Sequence, residues 1–183
     1  MQTSESFRLS ALLSLSGGFQ DAYTYNVRGH VFANAQTGNV VLMSQSLMQG
    51  DLAGAARYML PLLAFGAGIF AAERIETAFK AKKRFHWRQL VVLLEMAVLS
   101  AVGLMPLRWN LAANMLVSFS CAMQVQAFRK VHGYGYASTM CIGNLRSGTE
   151  SLSVYLRGRE KGALTKALHY YGILLVFAIG AGL

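Results

Sequence analysis

From Tyr58 to Ala72 the sequence reads YMLPLLAFGAGIFAA, and from Ala167 to Leu183 it reads ALHYYGILLVFAIGAGL. Neither run contains Lys, Arg, Asp or Glu. A helix needs ~20 such residues to cross a ~30 Å hydrocarbon core, and both runs approach that length. Leu9–Val27, Leu90–Leu107 and Leu111–Ala127 are blocks of the same kind, with Asp21 and Glu95 as their only charges. Val31–Met48 and Tyr134–Leu156 are long enough but are broken by polar residues and glycine. The blocks predict five clear spans and two doubtful segments.

Composition agrees. Apolar residues make up 54% of the 183 and charged residues 14%, against roughly 25% charged in a soluble domain. The formal net charge is +9. Its basic residues flank the apolar blocks, which fits cytoplasmic loops on anionic lipid and argues against nucleic-acid binding. Cys121 and Cys141 both lie in apolar segments and read as buried free thiols without metal or redox spacing. Arg8, the apolar run behind it and Ala33-Asn34-Ala35 loosely imitate a signal peptide. Gln20 and Asp21 interrupt that run and the cleavage-like site lies far downstream, so the segment reads as a retained helix.

An internal repeat organises the chain. Phe32-Ala33-Asn34-Ala35-Gln36-Thr37-Gly38-Asn39-Val40 matches Tyr136-Ala137-Ser138-Thr139-Met140-Cys141-Ile142-Gly143-Asn144-Leu145 in placing an aromatic residue, a polar stretch and Gly-Asn inside an apolar block. Ala64-Phe65-Gly66-Ala67-Gly68-Ile69 then pairs with Ala178-Ile179-Gly180-Ala181-Gly182-Leu183, and Gln20-Asp21 with Gln124-Val125-Gln126. Each unit is a helix, a polar-broken segment and a Gly-rich helix. The expected fold is an all-α polytopic membrane helical bundle, a single membrane domain over 1–183. Repeat one covers about 7–76, a linking helix about 88–107, and repeat two about 109–183.

Charge bears on topology. If both polar segments cross, Lys and Arg divide almost evenly between the two sides. If both re-enter, only Arg28, Arg57 and Arg108 remain on one side, with Arg146 inside the segment and the other basic residues opposite, and re-entry of the second alone gives an equally strong bias. That strong bias favours re-entry and puts the N-terminus and the basic loop Arg74–Arg88 in the cytoplasm. Charge is silent on the first segment; the repeat carries re-entry to it. Two like units joined by one crossing helix would then be inverted, as in many transporters.

The residues that would meet a solute are Asp21, Thr37, Gly38, Asn39, Gln124, Gly143, Asn144 and Arg146. Glycine permits a helix break, Thr and Asn bond the freed backbone, and a broken helix presents unpaired polar groups to an ion or small ligand. The competing reading is that the glycines pack helices and the asparagines bond their neighbours. Asp21 also reads as an interfacial carboxylate, and Glu95 as a shallow one paired with Arg88 or a lysine. Arg146 stays charged, so it needs a cavity, an anion, or a carboxylate such as Asp21 or Glu150. The pair is the favoured expectation.

His30, His86, His132 and His169 are scattered, and no Walker loop, zinc pattern or nucleophile–base set is present. No enzyme activity and no cofactor are expected.

Gly18-Phe19-Gln20-Asp21-Ala22, Gln36-Thr37-Gly38-Asn39, Gln49-Gly50-Asp51, Pro61 through Gly66, Met123 through Arg129, and Thr139 through Arg146 resemble the YoaK-like family, bacterial multi-span membrane proteins of unknown function. Ile142 departs from the family's frequent Thr before Gly. The resemblance implies an inner-membrane, multi-pass location and supplies no substrate.

Two functions follow as expectations. One is a transporter or channel for a small polar or anionic solute or ion, with its site between the two Gly-Asn segments. The other is a membrane scaffold or accessory subunit. The bilayer is the expected partner, and a homo-oligomer is compatible with the sequence.

The topology is testable with Glu5→Cys and Lys80→Cys, each as a single cysteine. Both should resist a membrane-impermeant thiol reagent in intact cells. Labelling at 80 refutes the orientation; labelling at 5 alone means that the first polar segment crosses.

Overall fold

The structure is a computed structural model that describes residues 6–80 and 86–183. Glu5 and the Lys82, Lys83 and Arg84 part of the basic loop lie outside the described residues. Seven α-helices account for most of the chain: α1 (Phe7–Val27), α2 (Gln36–Met48), α3 (Leu52–Phe79), α4 (Trp87–Gly103), α5 (Asn110–Ala127), α6 (Cys141–Gly158) and α7 (Lys161–Gly182). A 3-10 turn at Leu107–Trp109 leads into α5, and a short antiparallel hairpin pairs Lys130–Val131 with Tyr134–Gly135. The protein is all-α in class, as the apolar blocks predict.

α3 and α7 are long and apolar enough to cross a membrane. The sequence expects three more spans in α1, α4 and α5, and these differ for physical reasons. α4 has only 17 residues. α1 carries serines with Gln20 and Asp21, and α5 carries Asn110, Asn114, Ser118, Ser120, Gln124 and Gln126. Their polarity dilutes the apolar signal.

The chain forms two compact units. One comprises the stretch up to Phe19 with Phe128–Leu183; the other is Gln20–Ala127. The division falls within α1.

In the 20–127 unit α3 packs on α2 and α5, and α4 on α5. Phe65, Val102, Ala113, Val117, Cys121 and Ala122 form its apolar core. α3 approaches α5 so closely at Gly68 that a Cβ there would run into the Phe119 carbonyl. Pro61 lies within α3 and is buried. Asp51 caps the helix, its Oδ1 accepting from the Gly54 N–H at 2.9 Å.

In the other unit α6 packs on α7. Its buried stripe is Asn144, Gly148 and Ser151, small and polar residues at helical spacing. Gly148 faces Tyr170, with 3.1 Å between a notional Cβ and the Tyr170 Cβ. α1 meets α7 at two glycines: a Cβ on Gly18 would strike the Phe177 carbonyl, and one on Gly180 the Leu15 carbonyl. Val131, Tyr136, Tyr170 and Ile173 fill the core, and the Tyr170 hydroxyl donates to the Gly135 carbonyl at 2.6 Å.

The contact at Gly68 predicts a contrast within one motif. Gly68→Ala should destabilise the protein by about 1–3 kcal/mol through overpacking. Gly66→Ala, where nothing lies within 4 Å, should be neutral or stabilise by up to about 1 kcal/mol from helix propensity. Thermal unfolding in detergent measures both; equal destabilisation would refute the packing account.

Candidate functional site

α1 ends at Val27, and Gly29 and His30 turn the chain with φ of 88° and 61°. The backbone then runs without helical bonds until α2 starts at Gln36. Val31 and Ala33 are fully buried, so their neighbours' polar groups need partners inside the protein. Side chains supply them. The Asp21 Oδ1 accepts from the Asn34 N–H at 2.8 Å, and the Thr24 Oγ1 from the Ala33 N–H at 3.2 Å. The Gln36 Nε2 donates to the Ala33 carbonyl at 2.7 Å. Asn39 grips Phe32 from both sides: its Nδ2 donates to the Phe32 carbonyl at 2.6 Å, and its Oδ1 accepts from the Phe32 N–H at 3.2 Å. The Asn39 amide thus stands in for a neighbouring strand.

Asn144 does the same in its own unit. Its Nδ2 donates to the Ala137 carbonyl at 2.6 Å, and its Oδ1 accepts from the Ala137 N–H at 3.4 Å. Each asparagine bonds the residue seven positions back, and each helix starts three residues before its asparagine.

The other expected site residues divide by burial. Gln124 is fully buried and Asp21 is 7% exposed. Thr37, Gly143 and Arg146 are exposed. Gly38 faces the Phe32 ring, 3.1 Å from a notional Cβ, whereas Gly143 has open space. Asp21, Gln124 and the first Gly-Asn pair belong to the 20–127 unit; Gly143, Asn144 and Arg146 belong to the other. Arg146 makes no ion pair with Glu150 among the described residues. Asp21 is not a surface carboxylate: it is spent on the loop backbone.

Glu95 departs from the expected pairing with Arg88 and is 5% exposed. Its Oε1 accepts from the Gln20 Nε2 at 3.4 Å rather than from Arg88, whose Nε donates to the Ala127 carbonyl at 2.9 Å. The Gln20 Oε1 in turn accepts from the Cys121 thiol at 2.6 Å. The Glu95 Oε2, Asn114 Oδ1 and Ser118 Oγ are buried with no partner among the described residues. The Gln126 Nε2 donates to the Glu73 Oε1 on a more exposed surface.

Arg28 reads as a loop charge in the sequence, yet it is 3% exposed and all five of its N–H donors are taken. Nε donates to the Tyr23 hydroxyl at 2.7 Å. Nη1 donates to the Pro106 carbonyl at 3.3 Å and the Asn110 Oδ1 at 3.4 Å. Nη2 donates to the Val102 and Met105 carbonyls at 2.9 and 2.8 Å. The guanidinium caps the negative end of the α4 macrodipole. Only a tertiary contact reveals this; the sequence holds no local signal for it. Among the described residues no three His, Cys, Asp or Glu side chains group as a metal site requires.

The clamps predict an asymmetry between neighbouring residues. Asn39→Ala and Asn144→Ala each strand a backbone N–H and carbonyl, and each should cost about 2–4 kcal/mol. Thr37→Ala, at an exposed position, should stay within about 0.5 kcal/mol. Thermal denaturation in detergent reads both, and an inert Asn39→Ala would sink the clamp.

No curated protein and no solved structure matches this chain. Residues 9–183 match the family model described as "Protein of unknown function (DUF1275)", and the chain belongs to that family.

Proposed function

We propose that the chain is a multi-pass protein of the bacterial inner membrane that passes a small polar solute or ion through its helical core. The observation that carries this is the inverted distribution of polarity. Gln20, Asp21, Arg28, Glu95, Asn114 and Gln124 are buried. Leu63, Phe70, Leu168 and Leu175 are 59–63% exposed. Only 28% of the apolar window of α3 and 17% of that of α7 are buried within the protein. The core helix of a water-soluble protein buries such a stretch; these helices need an apolar solvent.

Ionisable residues inside a membrane are costly and usually serve the solute path. Glu95, shared with Gln20 and with one oxygen unpartnered among the described residues, is the group we assign to meet the solute or a coupling cation, with Gln124 buried in the same unit. Asn39 and Asn144 fix the breaks rather than bind the solute. Their matching clamps and helix starts support the reading of helix, broken segment and Gly-rich helix as a unit used twice with inverted orientation. A cytoplasmic N-terminus remains part of the proposal.

The saturated asparagines favour a second reading, a membrane scaffold whose polar groups only hold helices together. Proteoliposomes loaded with a pH-sensitive dye separate the two under an imposed membrane potential. Transport through Glu95 predicts proton entry above empty vesicles that falls at least about tenfold in Glu95→Gln, which should still fold. Flux no greater than in empty vesicles would leave the scaffold.

A further inference from the structure

In the 20–127 unit a cavity of about 410 Å³ opens at the ends of α1, α3 and α5. Three arginines line it: Arg28, Arg57 and Arg108. Among the described residues no carboxylate does. Asp51, the acid close to α3's start, turns its carboxylate onto the Gly54 N–H. Arg57 and Arg108 are exposed and have no ion pair among the described residues. Arg28 has no hydrogen bond left to give, but its charge is fixed in the wall by five bonds to uncharged partners.

A fourth residue gives the cavity a second kind of chemistry. Asn114 lines the cavity and is 1% exposed. Its Nδ2 donates to the Arg28 carbonyl at 2.9 Å, which fixes the orientation of the amide. Its Oδ1 has no partner among the described residues. A buried carbonyl oxygen left without a donor costs stability unless something that enters supplies one.

We propose that this cavity binds a phosphate group, free or carried on a lipid headgroup. Three like charges around a partly enclosed space raise one another's energy, and an oxyanion relieves them. Arg57 and Arg108 have unspent planar forks, the geometry that grips phosphate oxygens in pairs. The Asn114 Oδ1 accepts from the hydroxyl of a protonated phosphate or from a headgroup hydroxyl. Leu107 and Leu111 give the cavity an apolar wall, and its volume exceeds what a bare phosphate fills, so there is room for an organic body beside the anion. The site lies apart from Glu95 in chemistry and does not depend on transport through it.

The test compares the parent chain with Arg57→Gln, Arg108→Gln and the double variant, leaving Arg28 in place because it is structural. Thermal unfolding in a neutral maltoside detergent is followed with inorganic phosphate against chloride at equal ionic strength. A second arm uses nanodiscs of phosphatidylglycerol against phosphatidylcholine. For a free phosphate, the parent should be stabilised in detergent, with apparent affinity weakened about tenfold or more by each substitution. For a lipid phosphate, only the phosphatidylglycerol discs should stabilise the parent, and the variants should lose that gain. Should the double variant not fold, the two single variants carry the test. Stabilisation in neither arm, or a gain that survives both substitutions, overturns the proposal.

Discussion

The Asn39 side chain closes two hydrogen bonds on the backbone of Phe32, and the break between α1 and α2 depends on it. Backbone amides that leave a helix lose their built-in partners, and a water-free interior offers no substitute. Asp21, Thr24 and Gln36 bond the adjacent residues. Four side chains therefore do what a strand would do elsewhere. Once they are committed, the positions of α2 and of the left-handed turn at Gly29 and His30 follow from local geometry. The carboxylate that a positive helix start attracts is already supplied by Asp21, so this break is not an open anion site.

Polarity is arranged from the inside out. α6 buries Asn144, Gly148 and Ser151 while Ile142, Leu145 and Leu156 face outward, 81%, 51% and 71% exposed. α5 buries Asn114, Ser118, Ser120 and Gln124. Small residues then allow close backbone approach, as Gly68, Gly18 and Gly180 do. Packing of this kind suits helices whose surroundings are as apolar as their own side chains. In the proposed membrane setting the hydrophobic effect sorts the chain between water and lipid, and steric fit and hydrogen bonds arrange it internally.

Much of this was legible in the sequence because it is local. Apolar blocks locate the helices, and Gly-Asn marks both breaks. What escaped depends on contacts distant in sequence. Arg28 is separated by more than 70 residues from the carbonyls it caps, and nothing around it announces that role. Glu95 looked like a partner for Arg88 because a basic loop precedes it, whereas it bonds Gln20 on α1. Arg146 followed a Gly-Asn pair and so looked buried; its position on the outer face of α6 depends on which side of that helix meets α7. The span count differed because α1 and α5 place polar residues on the faces they bury.

The contact between α1 and α7 also bears on how the protein is made. Leu15 and Gly18 belong to α1, while Phe177 and Gly180 belong to α7, the most C-terminal helix described. The groove on α1 therefore waits through the synthesis of five intervening helices before its partner exists. The unit containing both helices closes only after translation has passed α7, and a stalled or prematurely released chain exposes the same glycine groove to any other helix that can approach it.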